Sequence, residues 1–251
     1  MILFKTLVRN MLISDMMGDL IRFFNGEVRI GQLKFGISSK QIRGKIVALL
    51  FFNKYEKEEL DLIRTHMRKD LPIIDLGSSL GVVAATAASL SNEKVTCVEA
   101  NPHLIEIISE NFKRNGKGKA DFSIVNGAIC DENYTDKSIY FSSRGSNELG
   151  RICDAGMEGA IEVKAVLLSD IVKEKVKDAF VLISDVEGAE SAFLYNDAQA
   201  LKKCTQLFIE LHPVNWNGVE LSVDDLRKQI TSLGFEEKEQ RGTNFYYARH
   251  E

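Results

Sequence analysis

The sequence predicts an α/β fold in which a mostly parallel sheet is covered by helices on both faces. Three observations carry this expectation. From residue 70 onward, short apolar runs bounded by turn residues alternate with longer stretches of helical periodicity, as in consecutive strand–helix–strand units. The run from Ala179 to Ile183 is apolar without a break, as a strand buried on both faces requires. Glycines stand where two of these strands end, at Gly77 and Gly188.

Composition sets the outer bounds. The chain has 251 residues, 45% hydrophobic and 27% charged, an ordinary globular balance rather than a disordered one. Its formal net charge of −4 lacks the basic footprint of a nucleic-acid binder. The four cysteines, Cys97, Cys130, Cys153 and Cys204, form no CxxC pair and read as idle thiols of a reducing cytoplasm. The apolar run from Ile46 to Phe52 is far too short to span a bilayer. The expected location is the cytoplasm.

The elements follow in order. Residues 2–24 are expected to form a helix with a narrow polar stripe and a broad apolar face, suited to docking on the protein, on a second copy or on a membrane surface. Residues 27–35 alternate as a short hairpin. Residues 1–54 thus make an N-terminal extension, and 55–251 the main domain. A helix over 55–68 opens that domain, with Leu60, Ile63 and Met67 on its apolar side. Strands are expected over 71–75, 94–99, 121–125, 179–185 and 206–211, and helices over 80–90, 103–115 (ending at Gly116), 189–203 and 222–233. Ser222 is an N-cap for the last helix and Gly234 its stop. Residues 236–240 and 244–249 close the chain as a hairpin. Residues 131–160, rich in Ser, Gly and charge, lack periodicity; 140–142 and 162–166 are candidate strands at their edge.

Five segments carry chemistry. Asp75-Leu76-Gly77-Ser78-Ser79-Leu80-Gly81 is a strand end running through a glycine turn into a helix. Such a turn brings backbone close to a ligand at the carboxyl edge of a sheet. It is neither a G-x-G-x-x-G fingerprint nor a P-loop, which counts against dinucleotides and triphosphates. Glu99-Ala100-Asn101-Pro102 ends the second strand, where an acid accepts the hydroxyls of a ribose. Asn126-Gly127-Ala128 ends the third, beside the place of a nucleoside base. Asp185-Val186-Glu187-Gly188-Ala189-Glu190 puts carboxylates at a buried strand end, costly unless they serve a ligand, a metal or a hydrogen-bond donor. Glu210-Leu211-His212-Pro213 ends the neighbouring strand, so Glu210 or His212 would face the same cleft.

Together these segments resemble the FkbM family of S-adenosylmethionine-dependent O-methyltransferases, over roughly residues 55–250. Tyr55-Glu56, Asp75-Leu76-Gly77, Glu99-Ala100-Asn101-Pro102, Asp185 to Glu190, and Ile209-Glu210-Leu211-His212-Pro213 carry the likeness. Two positions depart from the family's pattern. Gly77-Ser78-Ser79-Leu80-Gly81 stands where Gly-Ala-Asn-x-Gly is common, and Ile183 where a lysine often precedes the strand-end Asp. The resemblance implies a Rossmann-like class I methyltransferase fold, with seven strands in the order 3-2-1-4-5-7-6 and strand 7 antiparallel. It also implies methylation of a hydroxyl, often on a sugar of a bacterial glycan. S-adenosylmethionine would then be held by Asp75, Gly77, Ser79, Gly81, Glu99, Ala100, Asn101, Asn126, Gly127, Ala128 and Asp185. Asp185, Glu187 and His212 are the candidate bases for the acceptor hydroxyl. A divalent cation held by carboxylates is an alternative to a base, though the sequence does not imply one. Two other classes remain: a catalytically silent cofactor-binding module, and a nicotinamide-dependent oxidoreductase, against which the absent dinucleotide fingerprint counts. The expected partner is a glycan or other hydroxyl-bearing acceptor. Membrane contact through residues 1–24 and a homo-oligomer are further expectations.

Overall fold

The structure, a computed structural model, describes residues 11–115, 121–131, 138–142, 151–153, 156–216 and 218–249. The chain opens with helix α1 (Asp15–Phe24), hairpin β1 (Glu27–Ile30) and β2 (Leu33–Gly36), and helices α2 (Gly44–Phe51) and α3 (Lys57–His66). Then come β3 (Ile73–Leu76), α4 (Val82–Leu90), β4 (Val95–Glu99), α5 (Ile105–Asn115), β5 (Phe122–Asn126), β6 (Ala128–Ile129), β7 (Ser138–Ser142), β8 (Arg151–Cys153) and β9 (Ala160–Val166). The rest is α6 (Leu168–Lys175), β10 (Phe180–Ser184), β11 (Cys204–Glu210), the small hairpin β12 (Val214–Trp216) and β13 (Val219–Leu221), α7 (Val223–Ser232), β14 (Glu236–Arg241) and β15 (Asn244–Ala248).

The main sheet has seven strands in the order β14-β15-β11-β10-β3-β4-β5. Counting only its own strands, that is the 3-2-1-4-5-7-6 order. β15 runs antiparallel to both neighbours, while β11, β10, β3, β4 and β5 are parallel. Successive side chains point to opposite faces. Ile73, Val95, Val181, Ile183 and Phe208 join one buried cluster, and Ile74, Leu76, Val98, Leu182, Leu207 and Ile209 the other. Burial on both faces is why the central strands read as unbroken apolar runs.

The first face is covered by α3, α4, α5 and the N-terminal extension. Ile21, Val28, Ile30, Phe35, Ile37 and Ile42 lie in one cluster with Ile73 and Val95. Residues 2–24 do not make one continuous helix. The chain bends at Ile13 and Ser14, and the Ser14 hydroxyl accepts from the Met17 amide to start α1 afresh. Residues 1–10 of that expected helix lie outside the described residues. Nor is the broad apolar face docked: only Gly18 and Ile21 of α1 are buried, while Met16, Leu20, Phe23 and Phe24 are exposed. The contact is instead backbone on backbone. A Cβ on Gly18 would stand 1.6 Å from the Gly44 carbonyl oxygen at the start of α2. α2 holds the apolar run from Ile46 to Phe51, with Phe52 as its C-cap, and is a core helix.

The expected helix over 189–203 is broken. Ala192–Asn196 is π-helical and Ala198–Lys203 a 3₁₀ helix. Between them Asp197 accepts from the Ser169 amide, a tertiary bond that fixes the interruption. α7 matches its sequence signals: Ser222 and Asp225 form a reciprocal capping box. The aperiodic segment contributes β7 and β8, which with β6 and β9 form a second, four-stranded sheet over Ala128, Cys130, Ile139, Phe141, Val163 and Ala165. Residues 132–137, 143–150 and 154–155 of that segment, and Gly116, lie outside the described residues. Cys97, Cys130 and Cys204 are free and buried.

Candidate active site

The carboxyl ends of β3, β4, β10 and β11 open onto one cavity of about 500 Å³. Its β3–β4 side is a backbone scaffold. Gly77 and Ser78 amides donate to the Val98 carbonyl at 2.9 and 3.1 Å, and the Asp185 amide to Leu76 at 2.9 Å. Gly77 has φ +81°, and a Cβ there would lie 1.7 Å from the Asp185 carbonyl oxygen, so no side chain fits. The Glu99 carboxylate, 6% exposed, accepts from the Ser79 amide at 2.8 Å and the Asn101 amide at 2.7 Å. Burial pushes this acid up to about 7, against the pull of its backbone donors. The Tyr55 and Ser79 hydroxyls bond at 3.0 Å, tying the loop to the segment before α3. Asp75 is sealed, and burial raises it to about 6; its Oδ2 has no partner.

The β10–β11 side is a crowd of acids. Atoms of Glu56, Asp185 and Glu210 lie within 4.8 Å of one another, as do atoms of Asp185, Glu187 and His212. Burial, then repulsion from Glu210 and Glu187, raises Glu56 to about 7; Asp185 is pushed well up by burial and by Glu56. Glu59, 3% exposed on α3, is raised well above its usual range by burial and by Glu56. Thr243 donates to Glu210 Oε1 at 2.6 Å. His212 Nδ1 is 3.1 Å from Glu190, and its Nε2 is 3.6 Å from Glu187 and 3.7 Å from Glu210. The Glu190 bond raises the imidazole to about 9, which favours its charged form.

Of the expected residues, Asp75, Gly77, Ser79, Glu99, Ala100, Gly127, Ala128, Asp185 and Glu187 line the cavity; Gly81, Asn101, Asn126 and His212 do not. These four act from behind the wall. Gly81 is the left-handed N-cap of α4, packed on Ile108. Asn101 caps the 3₁₀ turn Pro102–Leu104 by accepting from the His103 amide. Asn126 donates to the Glu99 and Ala100 carbonyls at 2.8 and 3.1 Å, joining β5 to β4. Sequence reasoning missed Glu59 and gave Glu56 no chemical role. Glu59 was findable: it lies four residues before Ile63, on the apolar side of α3.

A family profile described as the methyltransferase FkbM domain matches residues 75–237, well over half of the chain. The chain belongs to the FkbM methyltransferase family. Its matched part includes the carboxyl ends of β3, β4, β10 and β11, and methyl transfer is the reaction class of this FkbM domain. No curated protein matches significantly. Among solved structures, a ribosomal protein L11 methylase from Lactobacillus delbrueckii subsp. bulgaricus is 13% identical, with a TM-score of 0.42 over 77% of this chain and 78% of that one. A TehB-like SAM-dependent methyltransferase from Corynebacterium glutamicum is 12% identical, with a TM-score of 0.39 over 77% and 88%. The tRNA m1G37 methyltransferase of M. jannaschii is 11% identical, with a TM-score of 0.45 over 90% and 56%. At such identities none of their substrates transfers to the FkbM domain.

Proposed function

We propose that this methyltransferase uses S-adenosylmethionine to methylate a hydroxyl oxygen, on a sugar of a bacterial glycan or glycoconjugate. The observation that carries the cofactor reading is Glu99, whose two oxygens anchor the glycine loop and the start of the next helix beside the cavity. Each oxygen keeps a second lone pair, the capacity two ribose hydroxyls need. The cavity fits the rest of the group. The unpartnered Asp75 Oδ2 suits a cationic methionine end, and the Gly77 backbone leaves room no side chain could share. Val98, Ile129 and Phe141, with the Gly127–Ala128 backbone, offer an apolar wall for a base.

When bound, the cofactor supplies an electrophilic methyl group. The protein's part is positioning, since reacting atoms held at ~3–3.5 Å can supply much of the rate. In this reading Asp75, Gly77 and Ser79 orient the methionine end, Glu99 and Ala100 the ribose, and Gly127 and Ala128 the base. Gly81, Asn101 and Asn126 hold those walls in register. Asp185 and Glu187 take up the acceptor's proton, a role typically worth ~10²–10⁴-fold. Charged His212 holds Glu187 in place.

Calorimetric titration with S-adenosylhomocysteine, followed by transfer of labelled methyl from S-adenosylmethionine to glycan acceptors, tests this. Binding plus transfer to a hydroxyl is the expected result. Binding without transfer to any acceptor favours the silent-module reading, and no binding removes the cofactor assignment.

The exposed side chains of α1, Met16 at 74%, Leu20 at 53%, Phe23 at 82% and Phe24 at 73%, support contact with a membrane surface that carries a lipid-linked acceptor. Among the described residues no helix is long and apolar enough to cross a membrane, so such contact would be peripheral. Vesicle flotation with and without residues 1–24 checks it; unchanged partitioning ends the idea.

A further inference from the structure

We infer that Glu56, Asp185 and Glu210 form a binding site for one divalent cation of the magnesium or manganese kind. Three elements converge to make it: the turn before α3, the residue after β10, and the last residue of β11. One carboxylate oxygen from each lies within 4.8 Å of the others. An ion bound to oxygens at ~2.1–2.5 Å holds adjacent ligand atoms ~3–3.5 Å apart and opposite ones ~4.2–5 Å apart, so side-chain adjustments of about 1 Å or less bring all three onto one ion while the strands stay in place. The donors are all carboxylate oxygens, the hard set that favours magnesium or manganese over zinc.

A second observation points to a cationic ligand independently of the clustering. Asp185 Oδ1 is sealed from solvent and has no hydrogen-bond partner. Carboxylate oxygens taken out of water are kept by a ligand or a partner, and the protein supplies neither here. The two arginines of the wall are committed elsewhere: Arg241 pairs with Glu239 and Asp61, and Arg43 with Asp15. Thr243 donates to Glu210 Oε1 at 2.6 Å and Asn244 to Oε2 at 3.4 Å, which orients that carboxylate.

All three acids are half-buried, so an ion among them keeps a side open to the cavity. There it takes oxygen ligands from the acceptor, which selects acceptors with a hydroxyl, or two neighbouring hydroxyls, to offer. This use rests on the methyl-transfer reading above; the binding of the ion does not.

The test is titration of metal-free full-length protein with Mn²⁺, following free ion by electron paramagnetic resonance, without cofactor or acceptor. The expected result is one ion per chain, with affinity weakened at least tenfold in both Glu56→Gln and Glu210→Gln and unchanged in Glu174→Gln, an exposed acid that does not line the cavity. Mn²⁺ should also raise the unfolding temperature of the wild type and not of the two cavity variants, whose folding circular dichroism confirms. No binding at millimolar Mn²⁺, or equal binding by wild type and both variants, overturns the site. S-adenosylhomocysteine calorimetry run on the same metal-free protein separates this failure from that of the cofactor reading.

Discussion

The two ends of the cavity handle buried acid in opposite ways. At the β3–β4 end, Glu99 is enclosed, yet each oxygen receives a backbone amide, and the loop it organises is complete without a ligand. At the β10–β11 end, Glu56, Asp185 and Glu210 face one another, and Asp185 Oδ1 receives nothing. For these four acids the difference separates what folding satisfies from what only a ligand satisfies; Asp75, at the end of β3 with a sealed and unpartnered Oδ2, belongs with the second kind. The first end is a preformed cradle, rigid because backbone holds it. The second stores mutual repulsion, which a cation or a proton relieves.

The largest effect that could break this comparison is at Gly77. Gly77→Ala forces a Cβ into the Asp185 carbonyl from a left-handed backbone, separating the two ends. It should destabilise by about 4 kcal/mol, read as a fall in Tm of roughly 8–16 °C. A shift under about 2 °C would show that β3 and β10 are not locked together there.

Next comes Glu99→Ala, which strands the Ser79 and Asn101 amides at ~1–3 kcal/mol each. Affinity for S-adenosylhomocysteine should fall about 100-fold by calorimetry, with Glu99→Gln in between. Unchanged affinity would mean the cradle does not depend on its acid.

The third is a pH profile of the ligand-free protein. Asp75 at about 6 and Glu99 at about 7 are raised by burial above ordinary carboxylates. The folded state therefore holds their protons more tightly than the unfolded chain. Their contribution is full below about pH 4 and is lost as pH rises through 6 and 7. Thermal unfolding should show stability falling between pH 5 and 7.5, on the order of 2 kcal/mol. A flat or rising profile over that window would contradict the burial of these acids.

The smallest effect is Asn126→Ala. It removes donors to the Glu99 and Ala100 carbonyls at a half-exposed position, so it should cost under ~1 kcal/mol and change cofactor affinity less than threefold. A larger loss would place its amide against the ligand.

Much of this was legible in the chain. Strands buried on both faces announce themselves as apolar runs, as at residues 180–184. The Ser222–Asp225 box and the Gly77 turn are local devices with local causes. The interrupted helix after Glu190 was not legible, because its break is made by the distant Ser169 amide. Nor was the undocked face of α1: two glycines, 26 positions apart in sequence, let α1 and α2 touch by backbone and turn the apolar side chains outward.

The same division holds at the site. Sequence alone determined which strand ends bear acids and glycines, because that depends on residue type and spacing, and the sheet order followed only as an implication of the family resemblance those residues carry. Only the tertiary structure decided what each acid does. Glu190 favours the charged form of His212, backbone amides made Glu99 a scaffold, and the approach of α3 brought Glu56 against Asp185 and Glu210. Charge state and hydrogen bonding depend on neighbours far apart in the chain, and burial multiplies both.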